Sequence, residues 1–410
     1  MTVPPCRSCG ALEVETVLSL GTTPLANSLV APERLDEPEP TYPLDLAFCA
    51  ACSLVQITET VPPDVLFRDY VYFSSYSDTM IRHATALADE LLAERGLGPE
   101  SLVVEAASND GYLLGVYRSR GVRVLGIEPA RNIAAAAEGR GITTVAEFLD
   151  TALAERLAGE GTRADVFHAH NVLAHVAGLN DFVRAIATLL ADDGIAVIEV
   201  PYVKDMLDRC EFDTIYHEHL CYFSVTALDV LVRRHGLSLV DVQRVPIHGG
   251  SLRLRVMHER AATPAPTVPR LLAEEEAWGV RETEPYRAFA ARVRELEGEL
   301  VRLLGGLRSR GARIAAYGAA AKGSTLLNVF GIGPDTIEFV VDRSVQKQGK
   351  YMPGVKIPIE PPERLLDLMP EYVLLLAWNL ADEVVAQQDA YRRQGGRFIV
   401  PVPEPKVLEP

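Results

Sequence analysis

The stretch Leu102–Leu114, LVVEAASNDGYLL, decides the fold class of this chain of 410 residues. An apolar run ends at Glu105, passes through a loop of small and polar residues as far as Gly111, and then enters a helical pattern. In open α/β sheets, a tight loop of this kind follows a strand and lets the backbone approach a ligand at the carboxyl end of the sheet. The stretch therefore predicts the first strand-loop-helix unit of a ligand-binding α/β domain.

Segments on both sides of this stretch extend the same fold. A helix is predicted for residues 77–95, and further strands are predicted for residues 122–128, 165–170 and 194–200, with helical segments between them. Strands that alternate with helices are typical of a parallel, doubly wound sheet. We therefore expect a central Rossmann-like domain.

A second strand-and-glycine unit follows near the end of the chain. Residues 312–327, ARIAAYGAAAKGSTLL, predict a strand, a loop and a helix, and residues 337–344 and 372–378 predict two more strands. The charged segment 271–307 has apolar residues on one helical face and is expected to bridge the two α/β units. The C-terminal part is therefore also predicted to be α/β, and smaller.

Four of the six cysteines form two Cys-x-x-Cys pairs in the N-terminal part, at Cys6, Cys9, Cys49 and Cys52. Two such pairs can surround a tetrahedral zinc ion with thiolates, and a closed site of this kind is structural. Two disulfides are the alternative, which is disfavoured because the chain is expected to be cytoplasmic. Cys210 and Cys221 lack partners at ligand spacing and are expected to be buried.

Composition excludes several classes of partner. The formal charge of −16 and the pI near 5.1 disfavour nucleic acid, because binding to a phosphate backbone needs clustered Lys and Arg. The N-terminus has no secretory signal pattern, and no apolar run approaches the length of a membrane span. We therefore expect a cytoplasmic protein with no nucleic-acid or membrane partner, and a monomer.

The loop at the first strand admits two cofactor classes. It departs from the G-x-G-x-x-G pattern, because Ala106 and Ser108 stand at the first two glycine positions and only Gly111 remains. An NAD(P) cofactor requires its pyrophosphate at the helix N-terminus, whereas S-adenosylmethionine carries a cationic sulfonium. Three acids at this rim, Glu105, Asp110 and Glu128, suit the cation better, although Asp110 can also cap the helix.

The segment YHEHLCYFS, residues 216–224, fits a metal site, a proton-transfer site or the polar rim of a strand. On a strand, Tyr216 and Glu218 would face one side; on a helical turn, Tyr216 and His219 would share a face instead. No third ligand lies at recognisable spacing, which disfavours metal. An imidazole is largely a free base at neutral pH, so proton transfer is favoured.

Two other motifs have competing interpretations. In GAAAKGST, residues 318–325, the two glycines have P-loop spacing, but Lys322 comes before the second glycine rather than after it. This disfavours NTPase chemistry and leaves a helix N-terminus able to bind a diphosphate. The histidines at 168, 170 and 175 resemble a metal site, but we favour His168 as a packing residue and His175 as a pocket residue.

These motifs together carry a resemblance to a known family. The cysteine pairs, EAASNDGYLL, HNVLAHV (170–176), YHEHLCYFS, HGGSLR (248–253), GAAAKGSTLLN and KQGKYMPGVKIPI (347–359) occur in the order seen in S-adenosylmethionine-dependent nucleotide-sugar C-methyltransferases. These enzymes add branched methyl groups to deoxysugars of antibiotic glycosides. The resemblance implies a zinc-binding domain at 1–70, a class I methyltransferase domain at 71–265 and a Rossmann-like C-terminal domain at 266–410 that helps to hold a dTDP-linked keto-deoxysugar.

The resemblance also implies roles for individual residues. It identifies His219 as the base or part of its relay, assisted by Glu218 and Tyr216, and it identifies a further tyrosine as Tyr76, with Tyr72 as the alternative. The remaining predicted residues are those for S-adenosylmethionine, at Glu105, Ala107, Ser108, Asn109, Asp110, Gly111, Glu128 and Asn171, and those for the sugar nucleotide, at His175, His248, Lys322, Ser324 and Asn328.

The implied reaction has a defined chemical need. Methylation at carbon requires a carbanion, and the accessible one is an enolate beside a ketone, so the site needs a base, a group that stabilises the enolate oxygen and an in-line methyl donor. Methylation at C3 is expected, with C5 as the alternative. An NAD-dependent sugar oxidoreductase or epimerase is a less favoured alternative because a Tyr-x-x-x-Lys pair is missing. A non-catalytic zinc-ribbon adaptor is disfavoured by acidity and by two nucleotide-type folds.

Overall fold

The computed structural model describes residues 3–67, 75, 78–246 and 249–409. The N-terminal elements are β1 (Val14–Pro24), β2 (Thr41–Cys49), β3 (Val55–Ile57) and α1 (Pro63–Phe67). The central elements are α2 (Asp78–Arg95), β4 (Leu102–Ala106), α3 (Leu114–Ser119), β5 (Arg123–Ile127), α4 (Arg131–Gly139), β6 (Thr144–Val145), α5 (Thr151–Gly159), β7 (Ala164–His170), α6 (Leu179–Leu189), β8 (Leu190–Pro201), α7 (Val203–Asp208), β9 (Cys221–Tyr222), α8 (Val225–Arg233), β10 (Leu237–Val245) and β11 (Ser251–His258).

The C-terminal elements are α9 (Thr267–Ala277), α10 (Glu284–Ser309), β12 (Ile314–Tyr317), α11 (Ala321–Val329), β13 (Val340–Val341), β14 (Ile359–Glu360), α12 (Arg364–Leu368), β15 (Tyr372–Leu375), α13 (Ala381–Gln387), α14 (Asp389–Arg393), β16 (Arg397–Val400) and β17 (Lys406–Leu408). Among the helices described, none combines the length and apolar character needed to cross a bilayer.

The central sheet has seven strands in the order β10-β11-β8-β7-β4-β5-β6. β4 pairs in parallel with both β5 and β7, so the loops after these strands open at the same edge of the sheet. β11 is antiparallel to β8 and to β10, and it closes the far side as a hairpin. The four predicted strands of this sheet are confirmed, with small differences at their ends.

The C-terminal sheet has six strands in the order β14-β13-β12-β15-β16-β17. β12 pairs in parallel with β13 and β15, and the last strand, β17, is antiparallel to β16. The sheet confirms the predicted second Rossmann-like unit. The segment expected to bridge the two units is helical, as its pattern predicts, and it forms two helices, α9 and α10. They are separated by a turn in which Gly279 has a φ of +82°, and Pro285 is the second residue of α10.

The N-terminal sheet is antiparallel and includes a strand from the central part of the chain. Its order is β1-β2-β3-β9, and β9 belongs to the segment YHEHLCYFS. Val55 pairs with Tyr222 and Gln56 pairs with Cys221, while Ile57 N–H donates to Leu220 O at 3.0 Å. The segment singled out in the sequence is therefore fixed to the N-terminal part by main-chain hydrogen bonds.

Candidate active site

The four N-terminal cysteines come together at one point. Their sulfur atoms all lie within 4.8 Å of one another, with Cys6 Sγ 3.4 Å from Cys52 Sγ and Cys9 Sγ 3.5 Å from Cys49 Sγ. A disulfide needs sulfurs about 2.05 Å apart, so the disulfide alternative does not fit. A set of four thiols that is mostly buried suits tetrahedral zinc with no open position for chemistry. Within the described ranges, it is the one His/Cys/Asp/Glu group with metal-binding geometry.

The other two cysteines are buried, as predicted from the sequence. Burial raises the pKa of Cys210 to about 11 and that of Cys221 to about 12, so both remain thiols at neutral pH. Neither is therefore a candidate nucleophile.

The loop after β4 is strained at the edge where a ligand is expected. Ala107 and Asn109 have positive φ angles of 52° and 48°, as does Gly111 at 75°. The turn after β7 contains another such residue, Asn171, with a φ of 52°. Non-glycine residues in this conformation cost free energy and concentrate at functional sites. The strain marks the carboxyl edge of β4 and β7 as a ligand-binding edge.

Glu128 holds this loop in place. Its carboxylate accepts one hydrogen bond from Asn109 N–H and one from Ala130 N–H, both at 2.9 Å. Burial raises the pKa of Glu128, and the two backbone donors oppose that shift. A carboxylate oxygen has more than one lone pair, so Glu128 can still accept hydrogen bonds from ribose hydroxyls.

The remaining acids of the cleft are buried beside Glu128. Burial raises the pKa of Glu105 well above its usual range, and the nearby Glu128 and Asp110 add to the shift. Glu105 Oε2 has no hydrogen-bond partner in the described part of the chain. Asp110 is fully buried and forms an ion pair of 2.9 Å with Arg140. The structure thus brings together the three acids that favoured a cationic ligand.

A polar network that sequence reasoning did not find lies beneath this edge. Glu199 on β8 accepts from Arg253 Nε at 2.7 Å and contacts His83 Nε2 at 2.9 Å, with His170 Nδ1 at 3.5 Å. Although burial acts to raise it, His170, His83 and Arg253 hold the pKa of Glu199 well below its usual range. Glu199 is therefore an ionised, buried anchor for α2, β7 and β11.

His168 is fully buried and packs in the strand, as predicted. It contacts Tyr117 Oη at 2.9 Å and His170 Nε2 at 3.0 Å. Burial lowers the pKa of both histidines, so they are neutral imidazoles at neutral pH. Their nitrogens are occupied by side chains, and the favoured non-metal interpretation agrees with these contacts.

The segment Tyr216–Leu220 is a turn before β9 rather than a strand, so the helical-turn alternative describes it. Tyr216 Oη lies 2.9 Å from His219 Nε2, and the two rings are 4.1 Å apart. His219 Nδ1 lies 2.8 Å from the carbonyl oxygen of Thr214. Because a carbonyl only accepts, Nδ1 carries the proton and Nε2 is the basic nitrogen, facing the tyrosine hydroxyl.

The side chain of Glu218 contacts the N-terminal part of the chain. Asn27 Nδ2 donates to Glu218 Oε1 at 2.7 Å. Burial raises the pKa of Glu218 to about 7, and the hydrogen bond from Asn27 opposes the shift. A carboxyl group with this pKa exchanges protons readily at neutral pH. His217, in contrast, is buried and bonds to Pro43 O at 3.1 Å, as expected for a packing residue.

His175 lies beside the basic imidazole. Its ring is 4.8 Å from that of His219 in an edge-to-face arrangement. Burial lowers the pKa of His175 to about 4, so it is neutral at neutral pH. The structure therefore groups His175 with Tyr216 and His219. Asn171, in the turn after β7, donates its backbone N–H to Glu199 O at 2.8 Å. That Asn171 and His175 line a ligand pocket stays a prediction.

The three predicted residues of the C-terminal unit have different surroundings. Asn328 donates to Ser324 O at 2.8 Å and to Pro353 O at 3.0 Å, which makes its amide a brace for the backbone. The Ser324 side chain is buried. Lys322 Nζ lies 4.5 Å from the centre of the Trp378 ring, beside Glu211 and Asp213.

The glycine that suggested a P-loop has a packing role. A Cβ atom at Gly323 would lie 2.7 Å from Leu376 Cβ, so glycine lets α11 approach β15 closely. Asp342, the acid at the end of β13, accepts from Ala319 N–H and Ser344 N–H, each at 2.8 Å. This arrangement repeats that of Glu128 in the central unit. Tyr76, its alternative Tyr72, and His248 lie outside the described residues.

Sequence reasoning missed the residues that act through distant contacts. Asn27 is 191 positions from Glu218, and Trp378 is 165 positions from Asp213, to which its Nε1 donates at 2.6 Å. Thr214 acts through its carbonyl oxygen, so its side chain gives no signal. Glu211 and Asp213 stand a few positions before YHEHL, and two acids so close to that segment were a sign of further polar residues there.

Comparison with known proteins covers most of the chain. Residues 6–67 match the family profile of a zinc-binding domain, residues 80–242 that of a methyltransferase domain, and residues 246–403 that of a C-methyltransferase C-terminal domain. The chain is 39% identical over 404 residues to C-methyltransferase NovU of Streptomyces niveus, covering 98% of this chain and 96% of that relative.

Solved structures of methyltransferases are similar to parts of the chain. Magnesium protoporphyrin IX methyltransferase from Synechocystis PCC 6803 with bound SAM is 14% identical, with a TM-score of 0.34, and the match covers 47% of this chain and 88% of that chain. The 1,6-didemethyltoxoflavin-N1-methyltransferase of Burkholderia thailandensis is 21% identical, with a TM-score of 0.31, over 43% of this chain and 76% of that chain.

Proposed function

Because the chain belongs to the family of C-methyltransferases, we propose that it methylates a carbon of a dTDP-linked 4-keto-deoxysugar with S-adenosylmethionine as donor. The product would be a branched deoxysugar for a glycosylated natural product. The observation that carries the proposal is the Tyr216–His219 pair, a hydrogen-bonded base held at the open edge of the central sheet.

The donor site is proposed at the loop after β4. Glu128 would accept hydrogen bonds from the ribose hydroxyls, and the buried Glu105 and Asp110 would face the positively charged end of the donor. S-adenosylmethionine supplies an electrophilic methyl group when bound. The strained backbone at Ala107 and Asn109 keeps this edge open for close approach of the ligand.

His219 is proposed as the base. The hydrogen bond to Thr214 O fixes the proton on Nδ1, so Nε2 receives the proton from the carbon beside the ketone, directly or through the Tyr216 hydroxyl that it already contacts. The adjacent His175 is neutral at neutral pH, so it carries no positive charge that would oppose the protonation of His219. Glu218, with a pKa of about 7, assists as a group that gains and loses protons at working pH.

The position of methylation follows from where an enolate can form. A ketone at C4 acidifies the protons on its two neighbours, C3 and C5, and no other ring carbon. We propose C3, with C5 as the alternative, and we propose that the loop before α11, with Lys322 and Ser324, contributes to binding of the sugar nucleotide.

The direct test incubates the purified protein with S-adenosylmethionine and dTDP-4-keto-6-deoxysugars and follows the product by mass spectrometry. The expected result is a gain of one methylene in mass, with the new carbon located by NMR. Absence of product with every such sugar, together with no calorimetric binding of S-adenosylhomocysteine, would overturn the proposal.

A further inference from the structure

Four side chains meet where the central unit contacts the C-terminal unit: Glu211, Asp213, Lys322 and Trp378. We name them the junction cluster. Glu211 caps the start of a short 3-10 helix, Phe212–Thr214, and Asp213 is its middle residue, whereas the lysine is in the first turn of α11 and the tryptophan follows β15.

The backbone around the cluster is well fixed. The rings of Phe212 and Phe330 stack with their centres 4.6 Å apart, which packs the 3-10 helix against the end of α11. The cluster is therefore built from both units, and neither unit could form it alone.

Trp378 positions two members of the cluster at once. Its indole Nε1–H donates to Asp213 Oδ2 at 2.6 Å, and its ring lies 4.5 Å from Lys322 Nζ. An indole holds a cation over its face and donates from its edge, so one rigid side chain fixes an acceptor and a donor relative to each other. This is an ordered polar site rather than a set of loose surface charges.

Three polar atoms of the cluster are buried and have no hydrogen-bond partner among the described residues: Asp213 Oδ1, Glu211 Oε1 and Lys322 Nζ. Asp213 is fully buried and Glu211 is 4% exposed. Arg209 forms an ion pair with Glu211, but its Nη1 is 3.9 Å from Oε1 and so beyond hydrogen-bond distance. Leaving such groups unpaired is costly, and their presence points to a ligand that pairs with them.

The chemistry of these atoms selects the ligand. Carboxylates accept and an ammonium donates, so one ligand group that satisfies both must donate and accept. A hydroxyl does both. A diphosphate only accepts, and it would be repelled by the two buried acids that stand against one lysine. A ligand ammonium only donates, and Lys322 would repel it.

The cluster also lies next to the proposed base. Asp213 is followed directly by Thr214, whose carbonyl oxygen holds His219 Nδ1 at 2.8 Å. A ligand group bound by the cluster is therefore expected to lie close to the carbon from which His219 removes a proton. In a sugar nucleotide, the part that meets this requirement is the sugar ring.

We propose that the junction cluster binds a hydroxyl group of the sugar, with Asp213 and Glu211 as acceptors and Lys322 as donor. The inference rests on the proposed function and deepens it, because it makes these residues determinants of which sugar is accepted. It also changes the role expected for Lys322, from contact with the diphosphate to contact with the sugar ring.

The test compares dTDP with dTDP-4-keto-6-deoxyglucose by isothermal titration calorimetry, in the presence of S-adenosylhomocysteine. For Asp213→Asn and Lys322→Met, the Kd of the keto-sugar nucleotide should rise roughly 10-fold or more, as for loss of a hydrogen bond to a charged group. The Kd of dTDP should stay within about twofold, because dTDP lacks the keto-deoxysugar that is attached to the diphosphate. Asp208→Asn, an exposed acid nearby, is the matched control.

Two results would overturn the assignment. An equal loss of affinity for dTDP would place the diphosphate at the cluster, and unchanged binding of the keto-sugar by both variants would remove the cluster from the binding site. Thermal unfolding of each variant distinguishes either result from misfolding. Asp213→Asn changes an acceptor of the cluster and Lys322→Met removes its donor, so the two variants test the assignment independently. Failure of the wild-type protein to methylate any keto-sugar contradicts the proposed function instead.

Discussion

Asn27 donates a hydrogen bond of 2.7 Å to Glu218, and this contact joins the part of the chain that contains the cysteine cluster to the proposed catalytic segment. The pairing of β3 with β9 makes a second connection a few residues further on. The N-terminal part therefore has two roles: it is stabilised by its own cluster, and it supplies a wall of the proposed active site.

Replacement of Asn27 by Ala is expected to move the pH profile of the enzyme to higher pH. The hydrogen bond from Asn27 opposes the effect of burial on Glu218, so its loss raises the pKa of that carboxyl group further above about 7. The ionised form then appears at higher pH. A shift of about one unit is expected, since a hydrogen bond to a charged group contributes about 1.5 kcal/mol. The measurement is kcat as a function of pH.

Ser28→Ala, a change at the exposed neighbouring residue, serves as the control. An unchanged profile in Asn27→Ala would show that ionisation of Glu218 does not limit the reaction.

Replacement of His219 by Ala is expected to abolish proton abstraction without loss of cofactor binding. General-base catalysis contributes about 100-fold or more, so exchange of solvent deuterium into the carbon beside the ketone should fall by at least that factor. Tyr216→Phe should give a smaller loss, because Nε2 remains basic without its hydroxyl partner. Exchange is followed by NMR, and affinity for S-adenosylhomocysteine by calorimetry.

The matched control is His258→Ala, since this imidazole lies at the end of β11, where its Nε2 is 3.4 Å from the carbonyl oxygen of Leu190. Exchange at the wild-type rate in His219→Ala would identify another group as the base.

The sequence predicted features that depend on neighbours along the chain. The spacing within each Cys-x-x-Cys pair reflects ligand geometry, and the small residues between Glu105 and Gly111 reflect a tight loop. Both features could therefore be predicted from residues that are close together in the sequence. The class I methyltransferase fold with a cysteine cluster is confirmed by the strand order and the family matches. Where one domain ends and the next begins stays a prediction.

What the sequence left open depends on contacts between distant segments. Five residues, Tyr216–Leu220, are too few for either a period of 2.0 or a period of 3.6 to be recognised, so the choice between strand and turn required tertiary structure. Nothing in the letters LANSLV indicates that Asn27 reaches Glu218. The amphipathic pattern of the bridging segment did not show that it divides into two helices, because the division depends on the left-handed turn at Gly279.

Loss of one cysteine ligand is expected to affect both stability and activity. Cys49→Ser should lower bound zinc, measured by atomic absorption, and lower the Tm, because a structural zinc site contributes directly to folding. Cys49 ends β2, which pairs with β3, and β3 pairs with β9, so activity should fall in parallel. Cys210→Ala, at a buried cysteine outside the cluster, should retain its zinc. Full activity in zinc-free protein would contradict this coupling.

Affinity for S-adenosylmethionine is expected to decrease as the pH falls, starting well above the usual range of carboxyl groups. Burial raises the pKa of Glu105 and of Glu128, so both lose their charge at a higher pH than exposed acids do. Glu128 contacts the ribose that both ligands carry, whereas ionised Glu105 attracts the sulfonium cation, so the binding of S-adenosylmethionine weakens further as Glu105 takes up a proton. S-adenosylhomocysteine has a neutral sulfur and should show a weaker dependence on pH. Calorimetry of both ligands between pH 5 and 8 measures the difference, and Glu105→Gln should reduce it. Parallel pH profiles for the two ligands would show that the buried acids do not face the sulfonium.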